Sequence, residues 1–326
     1  MPPSPVLRLG TRGSDLALAQ ATLVEEALRA ALPDVALERV VIRTTGDKRP
    51  DIRLADFARA TADGPVLDKG IFTKELEEAL RENRIDIAVH SLKDVPTEID
   101  PAFRVAGVLP RAAVEDVLLA RIPLGRGLDD LPSGARVATS SVRRQRLLLL
   151  MRPDLIVEEI RGNVPTRLRK LFESEAPQAL VLARAGLERL GWKPGQGVVE
   201  IAEGILHSFV LEESLVLPAA GQGAVGLEIR AQDKNAASAV AAVNHEPTWR
   251  RVRLEREFLR LLQAGCHTPV GISTRLDGKV LSARAVVFEE GNPECRTGEA
   301  RGPAGTPESI ASDLLESLHP LDPPSP

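Results

Sequence analysis

Two stretches of the sequence alternate between short apolar runs and segments with a 3.6-residue apolar period, and this alternation constrains the fold more than any other feature. In the first stretch, Val6 to Leu9 predicts a strand, and the residues after Ser14 place apolar side chains on one face of a helix. The alternation continues to a strand over Ile85 to His90 and resumes between 136 and 190. Such alternation is typical of parallel sheets covered by helices, so the sequence predicts an α/β protein. The other predicted elements are strands over 37–43, 136–139, 156–160 and 179–184 and helices over 72–83, 142–151, 165–173 and 185–190.

From about residue 237 onward the pattern changes, and strands follow one another without a helix between them. The predicted elements there are helices over 247–262 and 307–318 and strands over 269–276 and 280–288. Asp277-Gly278, between the two strands, is typical of a hairpin turn. This region is therefore predicted to be a small α+β domain.

The two α/β stretches are separated by segments that predict loop and strand instead of a further helix repeat. These segments are Val105 to Val117 and Leu215 to Arg230, so the chain is expected to pass between domains twice. A chain of 326 residues suffices for two or three domains. The expected domains are residues 1–108 with 213–234, residues 109–212, and residues 235–326.

Composition and charge exclude several classes of protein. The hydrophobic content of 43% excludes a disordered chain. A net charge of -4 gives no field that would attract nucleic acid or anionic lipid, and 3% aromatic residues offer little surface for stacking bases.

The sequence also indicates the compartment. No run approaches the roughly 18 apolar residues of a membrane span and no signal-peptide pattern is seen, so we expect a cytoplasmic protein. With two cysteines and no zinc-spaced Cys/His cluster, we expect neither a disulfide framework nor a metal site.

Three glycines, Gly221, Gly223 and Gly226, match the G-x-G-x-x-G pattern of dinucleotide-binding sites. Such a site requires a helix directly after the glycines, so that the pyrophosphate meets the N-terminus of that helix. Residues 224–229 instead predict a strand. The glycines are therefore interpreted as a backbone turn near a domain crossing.

Arginine is concentrated where a ligand is expected to bind. Only eight of the 42 basic residues are Lys, and three arginine-bearing segments follow predicted strands. Hydroxyl, backbone N–H and guanidinium groups together bind anions, and α/β proteins bind ligands at the carboxyl ends of strands. One such segment alone would indicate an ordinary capped helix, whereas three predict a ligand with many carboxylates or phosphates. The segments are Thr11-Arg12-Gly13-Ser14, Thr139 to Arg144, and Arg161 to Arg167.

Two further positions are candidates for the chemistry itself. Asp94, with Lys93, follows the strand that ends at His90. A loop aspartate is commonly a turn residue, but near the arginine segments it is a candidate for acid/base catalysis or for stabilising a cation, with His90 as the alternative. Cys266 lies in a glycine-containing loop and is either an inert buried thiol or a nucleophile or cofactor attachment point. Cys295 lies in a polar loop without such surroundings.

These segments resemble those of the porphobilinogen deaminase family over nearly the whole chain. The resemblance is specific because many long motifs occur in the same order. The motifs are Thr11-Arg12-Gly13-Ser14 with Leu16, Ala17 and Gln20, Phe72 to Glu77, Asp86 to Pro96, Thr139 to Arg144, Arg161 to Arg167, Ala185 to Trp192, Gly221 to Ala224, and Gly265-Cys266 with Pro269-Val270. The fold implied is two periplasmic-binding-protein-like α/β domains with crossover hinge strands and a small C-terminal α+β domain that carries the cofactor cysteine.

The resemblance implies a transferase that adds four porphobilinogen molecules head to tail, with loss of ammonia, to a dipyrromethane primer and releases hydroxymethylbilane by hydrolysis. Asp94, with Lys93, would be catalytic and would stabilise the cation that forms as ammonia leaves. The implied cofactor-binding residues are Cys266, which forms the thioether, Ser91, Lys93, Asp94, Ser141, Arg143, Arg144 and Arg161. The implied substrate-binding residues are Arg12, Ser14, Gln20, Phe72, Arg167 and Arg189. We expect a monomer whose partner is porphobilinogen and neither nucleic acid nor a membrane.

The chain departs from the family pattern at three places. Lys48 to Lys69 is longer than the family's corresponding loop and differs in composition, and it is expected to act as a lid. Gln263-Ala264 stands where the family commonly has an acidic residue and a second glycine, and Arg111 to Asp116 stands where the family has its usual Arg/Asp-bearing segment. We expect these changes to tune the rate without abolishing activity. The alternative function is a non-enzymatic anion-binding protein on the same bilobal fold, which would need neither Cys266 nor Asp94.

Overall fold

The computed structural model describes residues 6–42, 73–264, 268–289 and 294–320. The chain divides into two compact units. The first unit is Met1–Arg111 with Ala224–Trp249, and the second is Ala112–Gly223 with Arg250–Pro326. The chain therefore passes between the units in both segments where the sequence predicts crossings, and once more after Trp249.

The helices and strands of the described residues are numbered along the chain. Up to the second crossing they are β1 (Val6–Arg12), α1 (Asp15–Ala31), β2 (Ala36–Ile42), α2 (Lys74–Arg81), β3 (Ile87–Ser91), β4 (Phe103–Val108), β5 (Asp116–Ala120), β6 (Arg136–Ala138), α3 (Val142–Met151), β7 (Ile156–Glu158), α4 (Val164–Lys170), β8 (Ala179–Ala183), α5 (Arg184–Arg189), β9 (Val198–Ile201) and β10 (Gly204–Leu211). After it they are β11 (Val225–Arg230), α6 (Lys234–Val243), α7 (Glu246–Leu261), β12 (Val270–Asp277), β13 (Val280–Phe288), β14 (Cys295–Pro303), α8 (Pro307–Glu316) and β15 (His319–Pro320). Every helix and strand predicted from the sequence is present, with ends that differ by a few residues.

The first unit contains a five-stranded sheet in the order β2-β1-β3-β11-β4. Strand β1 pairs in parallel with β2 and β3, whereas β11 pairs antiparallel with β3 and β4. Helix α1 begins at Asp15 because the Ser14 hydroxyl accepts a hydrogen bond from the Ala17 N–H and caps it. The buried face of α1, which includes Val24 and Leu28, packs in the same core as the sheet.

The second unit contains a six-stranded sheet in the order β7-β6-β8-β5-β10-β9. Strand β6 pairs in parallel with β7 and β8, whereas β5 pairs antiparallel with β8 and β10. The predicted parallel pairing therefore occurs among β1, β2 and β3 and among β6, β7 and β8, whereas β11 and β5, the next strands of the two sheets, pair antiparallel. Strands β5 and β11 are the first strands after the first two crossings of the chain. Because no helical crossover within the sheet leads into them, the rule that makes consecutive strands of a βαβ unit parallel does not apply.

A third sheet, β12-β13-β14-β15, is antiparallel throughout and also lies in the second unit. The predicted hairpin is present, but Asp277 pairs with Val280, so its turn residues are Gly278 and Lys279, and Gly278 has a positive φ of 57°. Phe258 of α7 and Leu314 of α8 pack in one core with residues of β12 and β13. The predicted fold class, two α/β regions with a small α+β region, is confirmed.

Several elements occur where the sequence predicts none, namely β9, β10, α6, β14 and β15. The sequence places Cys295 in a polar loop, but the residue is buried and begins β14, which pairs with β13 along its whole length. Helix α6 is rich in alanine, and its buried Ala236 and Val240 pack in the core of the first unit. The sequence analysis instead assigns residues from 235 onward, and so nearly all of α6, to the third expected domain. None of the described helices is long and apolar enough to span a membrane.

Candidate active site

In the first unit, several predicted site residues lie at one edge of the sheet. Strands β1 and β3 are parallel, with Leu9 opposite Ile87. This register brings Arg12, at the end of β1, level with His90 near the end of β3. The polar segments that follow the two strands therefore lie at the same carboxyl edge, where α/β sheets bind ligands.

Arg12 and Ser14 flank the start of α1. The Ser14 hydroxyl accepts a hydrogen bond from the Ala17 N–H at 3.4 Å, and the Thr11 hydroxyl donates to the Ala17 carbonyl at 3.0 Å. These bonds fix the turn and leave Arg12 and Ser14 half-buried. Farther along α1, Gln20 is buried, and its Nε2 atom has no hydrogen-bond partner in the described chain. Such a donor is available to an acceptor on a ligand.

Asp94 lies in a short 3-10 turn, Leu92–Asp94, directly after β3. The turn is anchored by Leu92, which is buried and donates its N–H to the Ala224 carbonyl at 3.1 Å. The side chains of Lys93 and Asp94 are exposed. Within the described ranges the Asp94 carboxylate forms no hydrogen bond or ion pair, so both of its oxygens are available to a ligand.

The alternative candidate, His90, is buried. Its Nε2 atom lies 2.9 Å from Oε2 of Glu228, a fully buried residue of the neighbouring strand β11. Glu77, on helix α2, also interacts electrostatically with this pair. Burial raises the pKa of Glu77, and the charge of Glu228 raises it further. His90 thus belongs to a buried polar group in the sheet. Ser91 is half-buried at the end of β3, and Asp94 is the acid/base candidate that a ligand can reach.

In the second unit, Ser141 caps α3 and two arginines occupy the first turn of that helix. The Ser141 hydroxyl accepts a hydrogen bond from the Arg144 N–H at 3.5 Å. The side chains of Arg143 and Arg144 are only 5% and 7% exposed. Through Nη1, Arg143 donates to the Leu217 carbonyl at 2.6 Å and Arg144 to the Val181 carbonyl at 3.1 Å. The Nε atoms of both arginines are buried and have no hydrogen-bond partner among the described residues.

Asp116, the first residue of β5, lies between the two guanidinium groups. Its Oδ2 accepts from Arg143 Nη2 at 2.7 Å, and its Oδ1 accepts from Arg144 Nη2 at 2.8 Å and from Gln222 Nε2 at 2.9 Å. Burial by itself would raise the pKa of Asp116, but the charges of the two arginines outweigh burial and hold this pKa well below its usual range. A fully buried carboxylate is therefore ionised and shared by two cations.

The other predicted arginines of this unit follow strands β7 and β8. Arg161 lies in the turn between β7 and α4 and is half-buried. Arg167 donates through Nε to the Gly162 carbonyl, and Arg189, at the end of α5, donates through Nη2 to the Gly223 carbonyl, both at 2.7 Å. Burial lowers the pKa of Arg189. Because β6, β7 and β8 are parallel, Ser141 and Arg161 follow the carboxyl ends of adjacent strands.

The glycines of the G-x-G-x-x-G pattern form a turn and do not precede a helix. Gly221 and Gly223 have positive φ values of 71° and 81°. A Cβ atom on Gly223 would lie 2.6 Å from the Ala112 carbonyl oxygen, so only glycine fits there. Strand β11 follows at Val225. The interpretation of these glycines as a turn is confirmed.

Cys266, Phe72 and the segment 48–69 lie outside the described residues. The structure also contains buried acidic residues that the sequence does not mark as site residues, among them Asp116 and Glu228. The burial of a paired charge at Asp116 could have been predicted from the sequence. It begins a strand whose four following residues are all apolar, and a charge in such a strand must be paired when it is buried.

Comparison with known proteins identifies two family matches that together span most of the chain. "Porphobilinogen deaminase, dipyromethane cofactor binding domain" matches residues 7–238, and "Porphobilinogen deaminase, C-terminal domain" matches residues 249–319. A porphobilinogen deaminase of Desulforudis audaxviator is 43% identical over 95% of this chain and 93% of its own length. Those of Rubrobacter xylanophilus and Moorella thermoacetica are 44% and 40% identical, over 95% and 96% of this chain and 94% and 92% of their own lengths.

Proposed function

The chain belongs to the porphobilinogen deaminase family, and we propose that Asp94 supplies the carboxylate on which its reaction depends. The chain is a transferase of porphyrin synthesis. It joins four porphobilinogen molecules head to tail, with loss of ammonia, and releases hydroxymethylbilane by hydrolysis. Its cofactor is dipyrromethane. These similarities give no support to the alternative of a non-enzymatic anion-binding protein.

One observation carries the proposal for Asp94. Its carboxylate is exposed after β3, and no residue in the described part of the chain occupies either oxygen. Loss of ammonia leaves positive charge on the methylene carbon and ring of porphobilinogen. A carboxylate fixed in place lowers the free energy of that charge more than water does. Once the carbon–carbon bond has formed, the same carboxylate accepts the proton that the attacked pyrrole carbon loses.

The arginine pair of the second unit supports the assignment of cofactor-binding residues. Bound dipyrromethane supplies the free pyrrole carbon to which the first substrate is joined. Arg143 and Arg144 offer two buried Nε donors without hydrogen-bond partners in the described chain, and Asp116 balances only one of their two charges. Cofactor carboxylates fit both requirements. The proposed cofactor-binding set is Ser91, Lys93, Asp94, Ser141, Arg143, Arg144 and Arg161, with a thioether at Cys266.

Substrate binding requires further cationic and polar groups, because each porphobilinogen carries two carboxylates. The buried Nε atom of Arg189 and the buried Nε2 atom of Gln20 have no hydrogen-bond partner among the described residues, which supports a ligand acceptor for each. The proposed substrate-binding set is Arg12, Ser14, Gln20, Phe72, Arg167 and Arg189. We also propose that the enzyme works as a cytoplasmic monomer. Its net charge of -4 supports the further proposal that it has neither nucleic acid nor a membrane as a partner.

The proposal for Asp94 is tested by the rate at which covalent intermediates form. Wild type, Asp94→Asn and Asp129→Asn are mixed with limiting porphobilinogen, quenched with acid and weighed by intact mass spectrometry. Asp129 is a matched control because it is an exposed aspartate in another 3-10 turn, Gly127–Asp130.

Wild type and Asp129→Asn are expected to gain pyrrole units equally fast, and Asp94→Asn about 10²–10³-fold more slowly. Since Asp94 is exposed and unbonded within the described ranges, its replacement should change the free energy of unfolding by about 0.5 kcal/mol or less. Formation of intermediates by Asp94→Asn at the wild-type rate would contradict the proposal.

A further inference from the structure

In the second unit, Asp116, Arg143, Arg144 and Gln222 form a buried, charged cluster. Asp116 has no exposed surface, and its two carboxylate oxygens accept three hydrogen bonds of 2.7 to 2.9 Å, one from each of the other three residues. A single carboxylate thereby fixes the orientation of two guanidinium groups. These bonds use one donor nitrogen of each arginine and leave both Nε atoms without a partner among the described residues.

The charge of this cluster does not cancel within the described chain. Two arginines carry two positive charges, and Asp116 supplies one negative charge. A buried cation without a counter-charge is costly, and the backbone carbonyls of Leu217 and Val181 offset that cost only in part. The arrangement therefore favours an added anion, which must meet the two guanidinium groups in the orientation that Asp116 gives them.

The glycine turn holds the third donor in place. Gly221 donates its N–H to Glu255 Oε2 at 2.8 Å, and Gly221 and Gly223 have positive φ values. Between them, Gln222 is buried and directs its amide Nε2 to Asp116 at 2.9 Å and to the Val114 carbonyl at 2.6 Å. The turn that the sequence pattern marks is thus connected directly to the arginine pair.

We propose that Asp116 is a positioning residue, which acts through Arg143 and Arg144 to present them to the carboxylates of the dipyrromethane, and that Gln222 holds Asp116 in this role. The inference rests on the proposed cofactor-binding function of the two arginines. It gives Asp116 a larger part than tuning the rate, which is what the sequence alone led us to expect of the segment Arg111 to Asp116.

The chain offers a matched control in the first unit. Asp86 also bridges two arginines, because its Oδ1 accepts from Arg8 Nη2 at 2.7 Å and from Arg230 Nη2 at 2.9 Å. Its side chain is nearly buried, with 14% exposed, and neither arginine belongs to the proposed site. Replacing Asp86 by asparagine therefore removes a similar carboxylate between two cations without touching the cofactor arginines.

The test compares the cofactor content of wild type, Asp116→Asn, Asp116→Glu, Asp86→Asn and Gln222→Leu. Each protein is purified as the holoenzyme, its folding is checked by circular dichroism, and the fraction that carries the dipyrromethane is read from the intact mass. Values of kcat and KM for porphobilinogen are then measured. Wild type must show the mass excess, because its absence would refute the proposed cofactor and not the role of Asp116 alone.

The expected result is that folded Asp116→Asn loses about tenfold in cofactor occupancy or in kcat/KM, the effect of about 1.4 kcal/mol. Asp116→Glu, which keeps the charge, should recover part of that loss, whereas Asp86→Asn should match wild type. A folded Asp116→Asn with wild-type occupancy, kcat and KM would overturn the proposal, and so would an equal loss in Asp86→Asn.

If Asp116→Asn does not fold, Gln222→Leu decides the test, since this variant keeps both ion pairs of Asp116. It should reduce occupancy or raise KM, and wild-type values would contradict the proposal.

Discussion

Replacement of Arg161 by alanine is expected to stop elongation part-way while leaving the protein folded. Arg161 donates through Nη2 to Glu159 Oε1 at 2.7 Å, and the two side chains are 22% and 48% exposed. An ion pair of this exposure contributes about 1 kcal/mol or less to stability. For a chain of this size, we therefore expect the melting temperature to fall by about 2–4 °C at most.

The effect on the reaction should be larger than the effect on stability. A hydrogen bond between a guanidinium and a carboxylate contributes about 1.5–3 kcal/mol. Losing one such bond slows the addition step that uses it by about 10- to 150-fold. Because the growing chain gains two carboxylates with each unit, only the steps in which a carboxylate meets Arg161 should slow. The intermediate before that step then accumulates on the enzyme.

Native mass spectrometry during turnover measures these intermediates directly. Arg169→Ala is the matched control, since Arg169 is an exposed arginine on the same helix, α4, and has no place in the proposed site. Arg161→Ala should show one dominant enzyme-bound length, and Arg169→Ala should show the wild-type distribution. A uniform rise in KM for Arg161→Ala, with no trapped length, would mean that its charge acts only at a distance.

Two further outcomes follow from the buried groups. Cys295 packs in the core of the second unit, where burial raises the pKa of its thiol. Cys295→Ser should therefore keep its cofactor mass and activity. It should lose about 1–3 kcal/mol of stability, because the new hydroxyl group is buried. Loss of the cofactor from this variant would contradict the expectation. Because the pKa of Asp116 is held below its usual range, this group adds stability above about pH 3.9, its unfolded value, and loses it at lower pH. In urea denaturation between about pH 5 and pH 3, wild type should lose more stability than Asp116→Asn, and equal losses would refute the reasoning.

The sequence predicts those parts of the fold that depend on neighbouring residues. Helix α1 is an example, because its apolar period and the Ser14 cap are local features. Strand β14 could not be predicted this way, since its residues Cys295–Pro303 are mostly polar or small and its strand conformation depends on pairing with β13. The antiparallel pairing of β5 and β11 likewise depends on the path of the chain between units.

The candidate site shows the same division between local and long-range information. Local patterns located the arginine segments and the turn that carries Asp94. They did not predict that Arg143 and Arg144 are buried, because their partner Asp116 lies 27 and 28 positions away in the sequence. They also leave Asp94 and His90 as alternatives, because Glu228, the partner of His90 inside the sheet, lies 138 positions away in the sequence.

The attachment of the primer to Cys266 is the central chemical claim, and the mass of the purified protein tests it most directly. The active enzyme should exceed its sequence mass by two linked pyrrole units, and the excess should map to a peptide that contains Cys266. Cys266→Ser should lack both the excess and the activity, because a thiolate is a far better nucleophile than a hydroxyl group. An active enzyme of unmodified mass, or a fully active Cys266→Ser, would contradict the account.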